Sequence, residues 1–344
     1  MSAARHTFIA SLFIRTAESS GRSALLDQSR INPAEFIVWL AALAAFFAFP
    51  EDLAFATSIL VTALFVVSLD LILGYAGVIS MGHALFFGIG AYTAGLIALN
   101  GWREPITGAL IGAAAGGITA LITGALVLRL RDLYLIMVTL ALGAIAYEAA
   151  NKATWLTRGD DGLVGIDLSP VFGVFEWSFY STTSYLYALV WVFIAFALAR
   201  RLVAAPFGLA LQGIRENRRR MALVGTPVFS HLMRIYVISG CMAGLAGALS
   251  AQTTKFVSLS VLSLDMSISA VVMLVVGGVG RLYGGLIGAA VYMIVQHTAA
   301  QWNPYHWMFV IGAMLVLLVM FARGGILGLA DDILRRVMNY VRRP

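Results

Sequence analysis

The residues that could do chemistry in this chain are few and scattered. His6, His83, His231, His297 and His306 have no metal-ligand spacing, and neither an HExxH run nor a serine nucleophile elbow occurs. The two lysines, Lys152 and Lys255, lack the preceding glycine of a phosphate-binding loop, so any ATP used must be hydrolysed by another chain. The single cysteine, Cys241, lies in an apolar run, which excludes an intrachain disulfide and a cysteine-rich metal site. The chain is therefore expected to be no enzyme and to bind no metal or cofactor itself. Three carboxylates fall in or beside apolar segments, where an ionised group costs about 2.5–3.5 kcal/mol. Asp70, Glu148 and Asp265 all lie near segment ends and are expected to reach water or headgroups. No file of acidic residues crosses the apolar segments as proton-coupled transport would use, which weighs against an ion-gradient-driven secondary transporter, the alternative reading.

The one concentration of charge is residues 200 to 231, where Arg200, Arg201, Arg215, Arg218, Arg219 and Arg220 separate two apolar runs. Pro206 suits a first helical position, Phe207, Leu211, Ile214 and Met221 fall near helical spacing, and Gly225 followed by Pro227 gives a stop. The spacing predicts a short amphipathic helix outside the membrane, able to dock a soluble partner. A loop that only fixes orientation would show the same composition.

These residues must be positioned by membrane-spanning elements. Of 344 residues, 60% are hydrophobic and 12% charged, against about 25% charged in soluble domains. Apolar segments run over 36–49, 53–73, 81–99, 106–128, 133–150, 183–199, 232–252, 264–280, 284–302 and 306–322, so an all-α polytopic protein with about ten transmembrane helices is expected. With the amino terminus inside, 19 of the 23 basic residues fall on the cytoplasmic side, which accounts for the charge without nucleic acid. Both termini are then cytoplasmic: 1–34 is an amphipathic or disordered tail, 35–330 the transmembrane domain and 331–344 a basic tail. Residues 200–231 form a cytoplasmic loop. Residues 151–182, with Asp160, Asp161, Asp167 and Glu176, form the largest external one, a natural face for an outside partner or solute.

Two connections are unlike hydrated loops. GYAGVIS from Gly74 carries no charge and GGVGRLYGG from Gly277 only Arg281, with glycines at similar offsets, which hints at two weakly related halves. Such breaks either line a passage or mark tight helix packing.

The runs GYAGVISMGHALFFGIGAY from Gly74, LRLRDLYLIMVTLALG from Leu128, PFGLALQGIRENRRRMALVG from Pro206, AGLAGALSA from Ala243, VVGGVGRLYGGLIGAA from Val275 and GGILGL from Gly324 resemble the permease subunits of branched-chain amino acid ABC importers. That resemblance implies a second, homologous permease, two cytoplasmic ATPases and a periplasmic solute-binding protein around a chain of the bacterial inner membrane. ATP acts through the partner ATPase. The cargo is a branched-chain amino acid or a related small polar solute such as urea or an amide, moved by alternating access. The resemblance places ATPase coupling on Gly213, Ile214, Arg215, Glu216, Asn217, Ala222 and Gly225, with polar contacts from Arg215 and Glu216 and packing from Ile214. It places the substrate pathway near Tyr75, Gly77, Ser80, Gly82, His83 and Thr139, although a packed, hydrogen-bonded core histidine is an equal reading of His83. Binding-protein docking falls on Arg158, Asp160 and Asp161; the family often has a glycine where Arg158 stands.

Overall fold

The computed structural model describes residues 33–130, 132–173, 175–177, 181–321 and 324–329; beyond Pro33 and Ala34, the two expected tails lie outside the described residues. The described residues are mostly helical. In order come α1 (Pro33–Ala48), α2 (Leu53–Asp70), α3 (Ala84–Leu99), α4 (Pro105–Val127), α5 (Asp132–Lys152), α6 (Thr182–Ala204), α7 (Pro206–Glu216), α8 (Arg218–Leu223), α9 (Val228–Thr254), α10 (Leu264–Gly277), α11 (Leu282–Trp302) and α12 (Trp307–Phe321). Helix thus occupies each of the ten apolar segments. Among the described residues, five stretches are individually long and apolar enough to cross a bilayer: Leu53–Tyr75, Pro105–Val127, Leu133–Lys152, Thr182–Ala204 and Val228–Thr254. The other five segments are not full spans in themselves. α10 and α11 form a pair bent by 113° that counts at most as one, and α1, α3 and α12 are shorter apolar helices. The 16 residues of α3 rise about 24 Å, less than the roughly 30 Å of hydrocarbon. It is short because residues 76–82, which the apolar pattern joins to it, are not helical.

The core is organised around α2 and α9. Leu64, Phe65, Val66, Val67 and Leu69 are almost fully buried, whereas α5 exposes Leu133, Tyr134, Met137 and Ile145. Two small-residue pairs let α4 and α9 touch backbone to backbone: a Cβ on Gly116 would lie 2.5 Å from the Gly240 carbonyl oxygen, and one on Gly244 2.6 Å from that of Gly112. In both helices the glycines stand four apart on one face, the spacing that brings membrane helices closest. α1 is seated on α6 by Trp39, edge-on to Phe193 at 4.9 Å, and by the Tyr185 hydroxyl, which donates to the Ala42 carbonyl.

The two ends of the bundle differ in chemistry. At one end the start of α4, the start of α6 and the end of α9 meet around Gln252, which is 1% exposed. Its Nε2 donates to the Pro105 carbonyl at 2.7 Å, and the Tyr187 hydroxyl lies 3.1 Å from its Oε1. The loop after α5 covers this end. There β1 (Leu163–Val164) pairs antiparallel with β2 (Phe256–Val257), and Arg103 meets Asp167 at 3.3 Å in an exposed ion pair. α7, α8 and most of the arginines named above gather at the opposite end.

Candidate functional site

At the arginine end the two glycine breaks meet each other. Past Asp70, α2 loosens into a π-type turn over Leu71–Tyr75, a form that concentrates at functional sites. The carboxylate of Asp70, wholly buried, accepts the Gly280 amide on Oδ1 at 2.7 Å, while its Oδ2 has no hydrogen-bond partner among the described residues. Asp70 is therefore not the solvated segment end expected from its position, because the second break folds over it. A Cβ on Gly74 would stand 2.0 Å from Asp70 Oδ1 and 2.5 Å from the Gly280 nitrogen, so the two backbones approach as only glycines permit. Gly280 is also left-handed, at φ +79°.

α7 lies against this junction. Leu211 and Ile214 are fully buried, Gly208 is buried with them, and Phe207 stacks on His231 at 5.3 Å. Arg215 is exposed yet makes contacts within the chain. Its guanidinium donates to the Gly74 carbonyl, its Nη1 would lie 3.0 Å from a Cβ on Gly280, and its aliphatic stem covers Gly77. Gly77 has φ +68°, and a Cβ there would come 2.8 Å from Arg215 Cγ. Arg215, itself still exposed, thus engages the chain's own breaks, and Ile214 packs into the core. Glu216, Asn217, Ala222 and Gly225 remain exposed. One amphipathic helix was expected here, and two form: Asn217 is extended and its Oδ1 accepts the Arg220 amide at 3.0 Å, capping α8. Gly213 leaves room for Met221 of α8 to fold back, since a Cβ would meet its sulfur at 2.8 Å.

The segment between the first break and α3 is pinned by two helices, α5 through Thr139 and α10 through Ser267. The Met81 amide donates to Thr139 Oγ1 at 3.2 Å, the Ala84 amide to Ser267 Oγ at 3.0 Å, and a Cβ on Gly82 would lie 2.1 Å from the Thr139 carbonyl oxygen. Thr139 is 2% exposed, so it holds the segment and does not face open space. His83 is fully buried, stacked on Phe65 at 5.3 Å, with Nε2 2.9 Å from Ser68 Oγ. Ser68 already gives its only proton to the Phe65 carbonyl, at 2.6 Å, so His83 Nε2 is the donor. His83 is a packed, hydrogen-bonded core histidine. Ser80 and Tyr75 are likewise buried, and Gly77 lines a cavity of about 340 Å³ shared with Ile79, Leu135, Arg215 and Glu216.

A larger cavity, about 520 Å³, lies between α5 and α10. Met81, Leu85 and Leu140 give it apolar walls, and Tyr147, Glu148, Ser263, Asp265 and Ser267 the polar ones. Glu148 and Asp265 are exposed, as their positions at segment ends led one to expect.

The sequence model of the branched-chain amino acid transport system permease component matches residues 53–319. The chain belongs to this permease family. Two relatives are named as the high-affinity branched-chain amino acid transport system permease protein LivM. That of Escherichia coli is 28% identical over 331 residues, covering 88% of this chain and 76% of the relative; that of Salmonella typhimurium is 28% identical over 298 residues, covering 79% and 69%. A third, the L-arabinose ABC transporter permease protein AraH of Azospirillum brasilense, is 26% identical over 272 residues, covering 77% and 75%. These relatives are permease components, not enzymes. No solved structure gives a significant match.

In this permease the residues singled out from sequence fall into three places. The residues expected to couple to an ATPase come together with Gly77 at the arginine end; Gly82, His83 and Thr139 form a separate buried anchor in the bundle, with Ser80 buried nearby in sequence. Arg158, Asp160 and Asp161 sit exposed at the far end, with Arg158 left-handed at φ 60°, the conformation a glycine takes without strain. Sequence reasoning missed the cavity between α5 and α10 and the partnership of Asp70 with Gly280. Its available signal was an acid four residues before Gly74 in an otherwise apolar run.

Proposed function

We propose that this permease is one membrane subunit of an ATP-driven importer in a bacterial inner membrane, with both termini cytoplasmic, moving branched-chain amino acids or a related small polar solute such as urea or an amide. The observation that carries the reading is the tie between α7 and both glycine breaks: Arg215 on the Gly74 carbonyl, beside Gly280 on Asp70. A push on the exposed side of α7 and α8 moves the ends of α2 and α10 together, which is what alternating access requires of a coupling helix. Two separate ATPases would apply that push through Glu216, Asn217, Ala222 and Gly225. A second permease would cover the apolar face of α5, and a periplasmic binding protein would deliver solute near Arg158, Asp160 and Asp161. Solute would pass through the cavity between α5 and α10.

The test is uptake into proteoliposomes holding this chain with its partner permease, ATPases and binding protein, offered labelled leucine, urea, a short amide and, because an arabinose permease is among the relatives, L-arabinose. Accumulation that needs both ATP and the binding protein is expected. Accumulation driven by a proton or sodium gradient alone would overturn the mechanism.

A further inference from the structure

We propose that the arginine end carries a binding site for the headgroup of an anionic phospholipid, built from Arg129, Arg218 and Arg219. The three line one cavity of about 420 Å³, together with apolar Leu128, Ala222, Val228, Phe229 and Leu232. The arginines come from two separate elements, the connection after α4 and the start of α8, so their convergence is tertiary and not a run of sequence.

Position identifies the ligand as amphiphilic. α4 ends at Val127 and α9 begins at Val228, so the cavity sits where two membrane-length helices stop, the level at which hydrocarbon gives way to headgroups. An apolar stripe leads to it. Ile111, Ile118 and Ile122 are exposed along α4 at spacings of seven and four, and Arg129 lies two residues past the last residue of that helix. Phe229, also exposed, flanks the cavity from α9. An acyl chain lying on the isoleucines would bring its phosphodiester to the guanidinium groups, whose planar forks match phosphate oxygens in pairs. Basic pockets between membrane helices take anionic headgroups by this chemistry. A free phosphate would satisfy the arginines and leave the apolar wall uncovered. The inference needs neither ATPase nor solute, and it shares one residue with the proposed ATPase surface, Ala222, which also lines this cavity.

The experiment uses the purified full chain in detergent, with native mass spectrometry to count retained lipid and thermal unfolding to read its effect, under added phosphatidylglycerol, phosphatidylcholine or inorganic phosphate. Phosphatidylglycerol is expected to be retained and to raise the unfolding midpoint, while phosphatidylcholine and phosphate do not. Arg129→Gln with Arg219→Gln is expected to weaken phosphatidylglycerol retention at least tenfold, and Arg129→Lys with Arg219→Lys to restore most of it, which separates lost charge from lost fold. Equal retention of phosphatidylcholine, or an equal midpoint rise with phosphate alone, would overturn the assignment. So would unchanged retention in the glutamine variant, and an accompanying loss of a co-purifying ATPase would assign the arginines to protein docking.

Discussion

The Gly280 amide donates to the Asp70 carboxylate at 2.7 Å across 210 residues of sequence, and this one bond joins the two glycine breaks of the permease. Because Asp70 is fully buried, removing it strands a buried donor with no water to replace the acceptor. Asp70→Ala is expected to lower stability by about 1–3 kcal/mol, the usual cost of an unpaired buried polar group. Asp70→Asn keeps an acceptor oxygen and should lie closer to the parent. Thermal unfolding of the purified chain in detergent measures both. An unaltered midpoint for Asp70→Ala would show that the bond holds nothing together.

Steric fit at the same junction gives a second, independent prediction. Gly74→Ala puts a Cβ 2.0 Å from Asp70 Oδ1 and 2.5 Å from backbone nitrogen of Gly280, neither of which can move aside cheaply. Overpacking of this kind costs about 1–3 kcal/mol or more. Gly312→Ala, in α12, meets nothing within 4 Å and should be neutral or slightly stabilising, by up to about 1 kcal/mol from helix propensity. Equal yields of folded protein from the two variants would refute the close approach.

How much of this was legible beforehand depends on range. The apolar segments, the Pro206 start of α7 and the inward set Leu211 and Ile214 follow local periodicity, and all appear as helices or buried faces. The Gly225 stop is equally local, with φ +91°. Asp70 was not legible as buried, because what buries it is Gly280, and no periodic signal links the two. The bond made by Arg215 was not legible for the same reason: the residue is exposed, as a basic amphipathic helix implies, but its partner, the Gly74 carbonyl, lies 141 residues away. Asn217 carried a readable signal, since asparagine caps helices readily, but the amphipathic pattern ran across it and masked the break.

Arg215 then allows coupling to be separated from assembly. Arg215→Ala removes the link from α7 to the first break while leaving exposed Glu216, Asn217, Ala222 and Gly225 in place for an ATPase. ATP-dependent uptake is expected to fall at least tenfold, with the ATPases still co-purifying and still hydrolysing ATP. Arg215→Lys, which keeps a donor but loses the planar fork, should recover part of the uptake. Loss of ATPase association in Arg215→Ala would instead return this residue to the docking surface, and normal uptake would remove it from coupling altogether.

The exposed loop over the other end offers a test in which stability and function move in opposite directions. Arg158 holds φ 60°, a conformation that costs a side-chain-bearing residue about 1–2 kcal/mol relative to glycine. Part of that gain is offset by the greater freedom glycine has in the unfolded chain, about 0.4–1 kcal/mol. Arg158→Gly is therefore expected to stabilise the permease by about 0.5–1 kcal/mol, read as a higher unfolding midpoint. The same change removes a positive charge beside Asp160 and Asp161, on the surface proposed to receive the binding protein. Binding-protein-dependent uptake should consequently fall several-fold at limiting binding protein and recover when binding protein is in excess. A loss that excess binding protein does not rescue would place Arg158 outside the docking step, whatever its effect on the midpoint.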